Sequence, residues 1–222
     1  GSFVIDGFTS DVTERVQAQA RVEHLNLVLR AIREVNQLIT RETEAGELIR
    51  KVSKLMVASR GFNSALVVLV DATGRPHTWH QAGQESEEFN VPVQEYLQEG
   101  KLLPCCGLAQ QKDGVLLVPK REGACRGCPQ ELRCQSLDAL CVALGYQERF
   151  FGYMAVALPA GRGGDSEEQA LFQEAANDVA FALYSLEQGE QARQAEAERE
   201  RMEYQLQQAQ KMEAVGRLAG GV

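Results

Sequence analysis

The sequence predicts an α+β fold, in which an antiparallel sheet carries helices on one face and long helices extend from both ends. The first observation is a strongly apolar run at residues 64–71 that closes in a turn signal, Asp-Ala-Thr-Gly. The second is a pair of apolar segments, residues 138–145 and 150–158, joined by a polar turn. The third is helical periodicity in both flanks of the chain.

The N-terminal part is predicted to be mainly helical after a short strand at residues 3–8. The first helix has apolar residues at alternating steps of three and four, as in a coiled-coil seam. Asn36 borders this seam and either sets its register or lies at its rim; the rim is favoured because the seam closes without it. A second helix is predicted at residues 43–59, with one broad apolar face. The seam residues are Leu25, Val28, Ile32, Val35 and Ile39.

The middle of the chain alternates strands and short helices. Residues 76–81 are predicted to return along the first apolar strand as a hairpin, residues 89–100 to form a helix, and residues 115–118 to form a short buried strand. His77 and His80 are three residues apart, and an odd separation on a strand sends side chains to opposite faces. They are therefore predicted to be poor joint ligands and to lie at the surface or rim.

A glycine-rich loop at residues 159–164 precedes the last helix. No Gly-Lys-Ser/Thr follows it, and the next helix opens with acidic residues that would repel phosphate. We therefore interpret the loop as a linker into a capped helix rather than a phosphate cradle. Ser166 and Gln169 have the spacing of a capping box.

From residue 166 the chain is predicted to stay helical almost to its end. Apolar residues are frequent up to Leu186, but between residues 187 and 201 they thin out to alanines. The pattern then resumes out of register with Leu183 and Leu186, which indicates a phase break. Because a long isolated polar helix is marginally stable, a helical dimer is favoured over a single solvated helix. The resumed positions are Met202, Leu206, Ala209 and Met212.

Composition limits the function classes. The 222 residues are 44% hydrophobic and 24% charged, which suits a packed domain, and the net charge of −8 argues against nucleic acid or an anionic membrane surface as the main partner. The longest strongly apolar run is too short to cross a bilayer. No export signal is visible, so a reducing, cytoplasmic location is expected. Because no catalytic set can be located, the chain is not expected to be an enzyme by itself.

Five of the six cysteines fall within residues 105–134. Two of them have C-x2-C spacing, which lets two thiolates of one turn bind one metal ion. Zinc is the first interpretation, while an iron–sulfur cluster, redox-switching thiols and unligated cysteines are alternatives. Cys141 lies in an apolar strand and is predicted to be a small core residue. The candidate ligands are Cys125, Cys128 and Cys134 with either Cys105 or Cys106.

Residues 25–186 resemble a GAF domain of a bacterial sensor histidine kinase. The segment Arg149-Phe-Phe-Gly-Tyr-Met-Ala-Val-Ala-Leu158 is similar to a family strand with the pattern G-x-x-x-V. The segment Asp165-Ser-Glu-Glu-Gln169 and the apolar residues after it are similar to the family's last helix. The Cys125-x-x-Cys128-Pro129 loop resembles a subset of these domains. The family-like position of Cys105, just after Pro104, makes it the preferred fourth ligand over Cys106.

Both flanks resemble neighbouring modules of such kinases. Asp11-Val-Thr-Glu-Arg15 is similar to the exit of a PAS domain, and residues 210–222 are similar to the start of the kinase dimerisation helix. None of the three histidines matches the family's phosphoacceptor. The predicted organisation is a PAS remnant at 1–15, a linker helix at 16–41, a GAF sensory domain at 42–186, a coiled-coil linker at 187–209 and the start of the dimerisation helix at 210–222.

The resemblance implies a sensing and relay fragment of a two-component sensor histidine kinase. A ligand, metal or redox signal would pass through a homodimer of the terminal helices to a kinase core, and from there to a response regulator. The alternative is a structural dimerisation module whose GAF pocket is empty. Family pockets hold cyclic nucleotides, tetrapyrroles or other small molecules, and the sequence shows no strong cue for cyclic-nucleotide binding.

Overall fold

The computed structural model describes residues 15–16, 19, 22, 42–58, 62–83, 87–119, 127–129 and 137–219. The predicted N-terminal strand, the coiled-coil seam, Asp11 of the PAS-like motif, Cys125 and Cys134 lie outside these residues. The elements in the described part are the helices α1 (Ala45–Ala58), α2 (Glu87–Gln98), α3 (Pro104–Ala109) and α4 (Ser166–Ala219), and the strands β1 (Ser64–Val70), β2 (Pro76–Gly83), β3 (Leu116–Val118), β4 (Leu137–Tyr146) and β5 (Arg149–Pro159).

The five strands form one antiparallel sheet in the order β2-β1-β5-β4-β3. The two hairpins expected from the apolar runs are both present, and β1 of the first pairs with β5 of the second. Every predicted strand in the described part ends within two residues of its observed bounds. The predicted α+β class is therefore confirmed.

One face of the sheet packs against α2 and α3. Leu66, Val68 and Val70 of β1 alternate along the strand and share a buried cluster with Leu97 of α2 and Cys106 of α3. Side chains two residues apart on a strand lie on the same face, so this cluster defines one side of the sheet. Helix α3 was not predicted from the sequence, and it brings the adjacent cysteines onto this face.

The other face carries α1. Val67 pairs with His80 across β1 and β2, and both project away from the Leu66 and Val68 side. Ser53 of α1 is fully buried and its hydroxyl lies 2.5 Å from Nδ1 of His80. The helices thus cover both faces, whereas the sequence placed them on one. Which face a helix covers depends on contacts between distant segments, and α3, with six residues, is too short to show a helical period.

A buried carboxylate organises the glycine-rich loop before α4. Oδ2 of Asp138 accepts hydrogen bonds from the amides of Gly161, at 2.7 Å, and Gly163, at 3.3 Å. Loop amides of this kind can bind an anion, and here the anion is a side chain of the neighbouring strand. This supports the interpretation of the loop as a linker.

The cap of α4 differs from the predicted one. Oδ1 of Asp165 accepts a hydrogen bond of 3.0 Å from the amide of Glu167, so Asp165 is the N-cap and Ser166 is the first helical residue. The predicted capping box from Ser166 to Gln169 was wrong by one residue. Gln169 instead donates from Nε2 to the carbonyl of Gly163, at 2.5 Å, and ties the helix to the loop.

The chain divides into two compact units, Gly1–Leu183 and Tyr184–Val222. In the first unit, the residues of α4 bury an apolar face made of Phe172, Ala175, Ala176, Val179, Ala180, Ala182 and Leu183. In the second unit the helix is stabilised by its own backbone hydrogen bonds and by ion pairs, such as that between Arg193 and Glu190 at 2.6 Å. Its large apolar residues Met202, Leu206 and Met212 are exposed, from 58% for Met202 to 76% for Met212. No helix in the described part is long and apolar enough to cross a membrane.

Candidate functional site

Three thiols from two elements meet on the α2–α3 face of the sheet. Cys105 and Cys106 lie in the first turn of α3, directly after Pro104, and Cys141 lies at the centre of β4. Their sulfur atoms are all within 4.8 Å of one another, and the sulfur atoms of Cys106 and Cys141 are 4.0 Å apart. None of the three is in a disulfide. We call these residues the thiol cluster.

The thiol cluster lies in apolar surroundings. Cys106 is 1% exposed and Cys141 is 0% exposed, and Cys105 is half-buried. The neighbouring side chains in the same core include Leu66 and Leu103. Such an environment holds thiols in their neutral form unless a cation is bound.

The pKa values of the cluster follow from this packing. The hydrogen bond with Cys106 is the largest cause that raises the pKa of Cys105 well above its usual value, with burial adding to it. For Cys106, the hydrogen bond with Cys105 lowers the pKa, but the one with Cys141 and burial together place it well above the usual value. The pKa of Cys141 is likewise raised, by its hydrogen bond with Cys105 and by burial. All three are therefore thiols at neutral pH.

A cavity of about 60 Å³ adjoins the cluster and is lined by Cys105, Cys128 and Gln81 among others. Its floor is made of small residues, Ala139, Ala155 and Ala157, on neighbouring strands β4 and β5. Small side chains at paired positions leave this space open between the sheet and α3.

Gln81 brings a polar atom to this cavity. Its Oε1 is buried and has no hydrogen-bond donor among the residues that the structure describes. A buried acceptor without a donor is costly, so its presence favours a site that takes up a donor group.

Tyr153 closes the opposite side of the cluster. Its hydroxyl donates a hydrogen bond of 3.1 Å to Oε1 of Gln110, one residue beyond α3. Burial, followed by the nearby Cys106 and Cys141, raises the pKa of Tyr153 to about 12. The tyrosine thus remains neutral and adds no charge to the cluster.

Comparison with known proteins establishes the fold. No family model matches the chain, and no curated protein matches it. Among solved structures, a GAF sensor protein from Burkholderia vietnamiensis is 15% identical, with a TM-score of 0.55 over 73% of this chain and 97% of that one. The GAF domain of NLH2 from A. aeolicus, in an inactive state, is 14% identical, with a TM-score of 0.51 over 76% and 97%. This chain has the GAF fold.

Proteins with this fold include an enzyme as well as sensors. Free methionine-R-sulfoxide reductase from Neisseria meningitidis, solved with its substrate, is 15% identical, with a TM-score of 0.54 over 74% of this chain and 93% of that one. At such identities the likeness concerns the fold alone. The resemblance to GAF domains is thus confirmed at the level of the fold, and the kinase context and the PAS flank stay predictions.

The GAF fold brings together only part of the predicted ligand set. Cys105 lies in the thiol cluster, and Cys128 lines the adjoining cavity and packs against the same core. Cys106, the predicted alternative to Cys105, lies in the cluster beside it. Because Cys125 and Cys134 lie outside the described residues, the predicted set as a whole stays untested.

Cys141 is the member that sequence reasoning missed. It is buried, as predicted, but its sulfur atom also belongs to the thiol cluster. Cys141 follows Cys106 by 35 residues, and only the pairing of β4 with β3 and β5 sets the face to which it projects. Its central position in an apolar strand was the one available signal, and that signal is shared by ordinary core residues.

The two histidines of the described strands, His77 and His80, lie in separate environments. His77 is exposed and bonds to Thr78, whereas His80 packs against α1. The prediction that they are poor joint ligands agrees with these separate environments.

His80 makes the stability of the first compact unit, Gly1–Leu183, depend on pH; we call this unit the GAF body. Burial lowers its pKa, helped by the positive charges of Lys54 and Arg50 and opposed by Glu47. Between the lowered pKa and the ordinary value of about 6.5 the unfolded chain binds a proton that the folded one excludes, so stability falls as pH drops through that window. We expect His80→Gln to flatten this dependence in urea denaturations at pH 7.5 and pH 5.5.

The exposed His77 provides the matched control for this experiment. His77→Gln should leave the wild-type dependence on pH unchanged, since this residue lies on the same strand in solvent. The buried environment of His80 would be contradicted if the His80 variant kept the full loss of stability at pH 5.5. Trp79, the only tryptophan of the chain, packs against the core and reports unfolding by its fluorescence.

Proposed function

We propose that this chain is the signal-input and relay part of a sensor histidine kinase, in which a GAF body senses at its thiol cluster and α4 carries the response in a parallel dimer. The observation that carries the proposal is α4 itself. One continuous helix begins as a buried element of the GAF body and ends as a segment with exposed apolar residues. The GAF fold supports a sensory or regulatory role.

The exposed residues suit a helical partner. Met202, Leu206 and Ala209 are spaced by four and three residues, so they lie on one stripe of the helix. Exposed large apolar side chains in a regular stripe favour association, and a second copy of the same helix supplies a matching stripe. The sequence that follows the stripe resembles the start of a kinase dimerisation helix.

We expect the chain to have about twice its 24.5 kDa mass in solution, as measured by light scattering after size exclusion. Glu side chains in the stripe would repel across the partner helix, so the double variant Met202→Glu, Leu206→Glu should be a monomer. The control is Gln207→Glu, which adds a charge away from the stripe and should stay dimeric. A wild-type chain that is monomeric at high micromolar concentration would contradict the proposal.

The small cavity favours a second candidate function, a connector with no small-molecule ligand. Drug-sized ligands occupy pockets of about 300–1,000 Å³, whereas the cavity here is about 60 Å³. Hydrogen–deuterium exchange separates the two functions. A sensor should change protection in residues 184–219 when Zn²⁺ is added to metal-free protein, and a connector should not.

A further inference from the structure

The thiol cluster has the dimensions of a metal site. With metal–sulfur bonds of about 2.3 Å, two ligands of a tetrahedral ion lie about 3.8 Å apart. The sulfur atoms of Cys106 and Cys141 are 4.0 Å apart, and those of all three cysteines are within 4.8 Å of one another. Shifts of less than 1 Å at the most distant pair would bring the three sulfurs to ligand distance.

We propose that Cys105, Cys106 and Cys141 bind one Zn²⁺ ion, and that its fourth ligand comes from the cavity lined by Cys128 and Gln81. This set differs from the one that the C-x2-C spacing suggests, because it takes two ligands from α3 and one from β4. If the proposed function is correct, Zn²⁺ is the ligand that the GAF body senses. The site is nevertheless defined by its own residues and does not depend on dimerisation.

The net charge of the occupied site favours one ion among the metals that bind thiolates. Thiolate ligands favour Zn²⁺, Cu⁺ and iron–sulfur clusters. Binding Zn²⁺ to three thiols releases three protons and leaves a net charge of −1, whereas Cu⁺ would leave −2. Buried net charge is costly, and the described side chains around the cluster are uncharged: apolar residues, Tyr153 and Gln81. The divalent ion therefore fits this environment better.

The cavity supplies room for the remaining ligand. Zinc with three protein ligands keeps a fourth position for water or another molecule. A water molecule occupies about 30 Å³ in the liquid, and the cavity beside Cys105 measures about 60 Å³. Oε1 of Gln81, which has no donor among the described residues, is an acceptor for the hydrogen of such a water. Cys128 lines the same cavity.

Binding would also have a structural consequence. Helix α3 and strand β4 are separated in sequence by the segment that contains Cys125 and Cys134. An ion held by Cys106 and Cys141 would fix the start of α3 to the centre of the sheet, close to Tyr153 and its bond to Gln110. Metal occupancy would thus stabilise the face of the GAF body on which the cavity lies.

The test is the metal content of the full chain, purified without a histidine tag under reducing conditions, together with Co²⁺ titration of the metal-free protein. We expect about one zinc per chain, and thiolate-to-cobalt charge-transfer bands in the near ultraviolet. Cys106→Ala and Cys141→Ala should each lower Co²⁺ affinity by at least about 100-fold, because losing a ligand costs more than losing an outer-shell partner. Cys125→Ala and Cys134→Ala should retain the ion.

Val142→Ala is the control for buried truncation, since Val142 is buried next to Cys141 but projects to the opposite face of β4. It should bind Co²⁺ like the wild type. The proposal is overturned if Cys125→Ala or Cys134→Ala loses the metal while Cys106→Ala and Cys141→Ala keep it. A brown protein with iron, a chain that prefers copper, or a reduced chain that takes up no metal would overturn it equally. This test measures metal binding and not the mass of the chain. A failure of the metal site can therefore be told apart from a failure of the proposed dimer.

Discussion

Gly152→Ala should destabilise the GAF body by at least about 4 kcal/mol, a loss large enough to unfold a domain of ordinary stability. Gly152 lies in β5 with φ of +151°, between Leu69 of β1 and Leu144 of β4. A Cβ atom at this position would stand 2.0 Å from the carbonyl oxygen of Val68. That oxygen is backbone of a central strand, so relief would require β1 and β5 to separate. Urea denaturation followed by Trp79 fluorescence measures the loss.

Gly145 is the matched control, because it lies in the same β4–β5 hairpin and pairs with Phe150. A Cβ atom there would meet the carbonyl oxygen of Arg149 at 3.6 Å, an ordinary contact. Gly145→Ala should therefore change stability by no more than about 1 kcal/mol. If both alanine variants unfolded at the same urea concentration, close backbone approach at Gly152 would not be the cause of its importance.

Phe172→Ala should cost about 3–5 kcal/mol, the usual range for removing a buried phenyl ring. Phe172 is 1% exposed, and its ring meets that of Phe62 edge to face, with centroids 6.0 Å apart. It is the largest buried apolar side chain that α4 contributes to the first unit. Its removal leaves a cavity at the point where α4 is anchored in the GAF body. The same fluorescence measurement applies.

Phe181 gives the comparison within the same helix, since it is 48% exposed. Its ring contacts Tyr146 edge to face at 5.2 Å, and such a pair contributes about 0.5–1.5 kcal/mol. Phe181→Ala should therefore cost about 1 kcal/mol. Equal losses for the two phenylalanines would show that burial of Phe172 does not anchor the helix.

The strands were predictable because their signals are local. The first hairpin joins an apolar run to its returning strand across an Asp-Ala-Thr-Gly turn, and the second joins two apolar runs across a polar turn. Neighbouring residues suffice to recognise both. Gly152 shows the limit of prediction from local sequence. Its place in a strand was predicted from the apolar segment at residues 150–158, but its need for glycine arises from the carbonyl of Val68, which belongs to a strand more than eighty residues earlier.

Helix ends and short helices were less predictable for a related reason. Asp165 and Ser166 are both good N-cap residues, and the choice between them depends on the loop that Asp138 fixes from β4. Helix α3 has six residues, too few to show a helical period. It forms because Leu103, Cys106 and Ala109 can be buried against the sheet.

By itself, the sequence determined the α+β class, the two hairpins and the long last helix with its exposed apolar stripe. These follow from periodicity and turn chemistry within short segments. Only the tertiary structure decided which cysteines meet. The C-x2-C spacing pointed to one turn, but Cys141 joins Cys105 and Cys106 because strand register sets its face and α3 packs over it. Register and packing depend on contacts between distant segments, and spacing along the chain does not encode them.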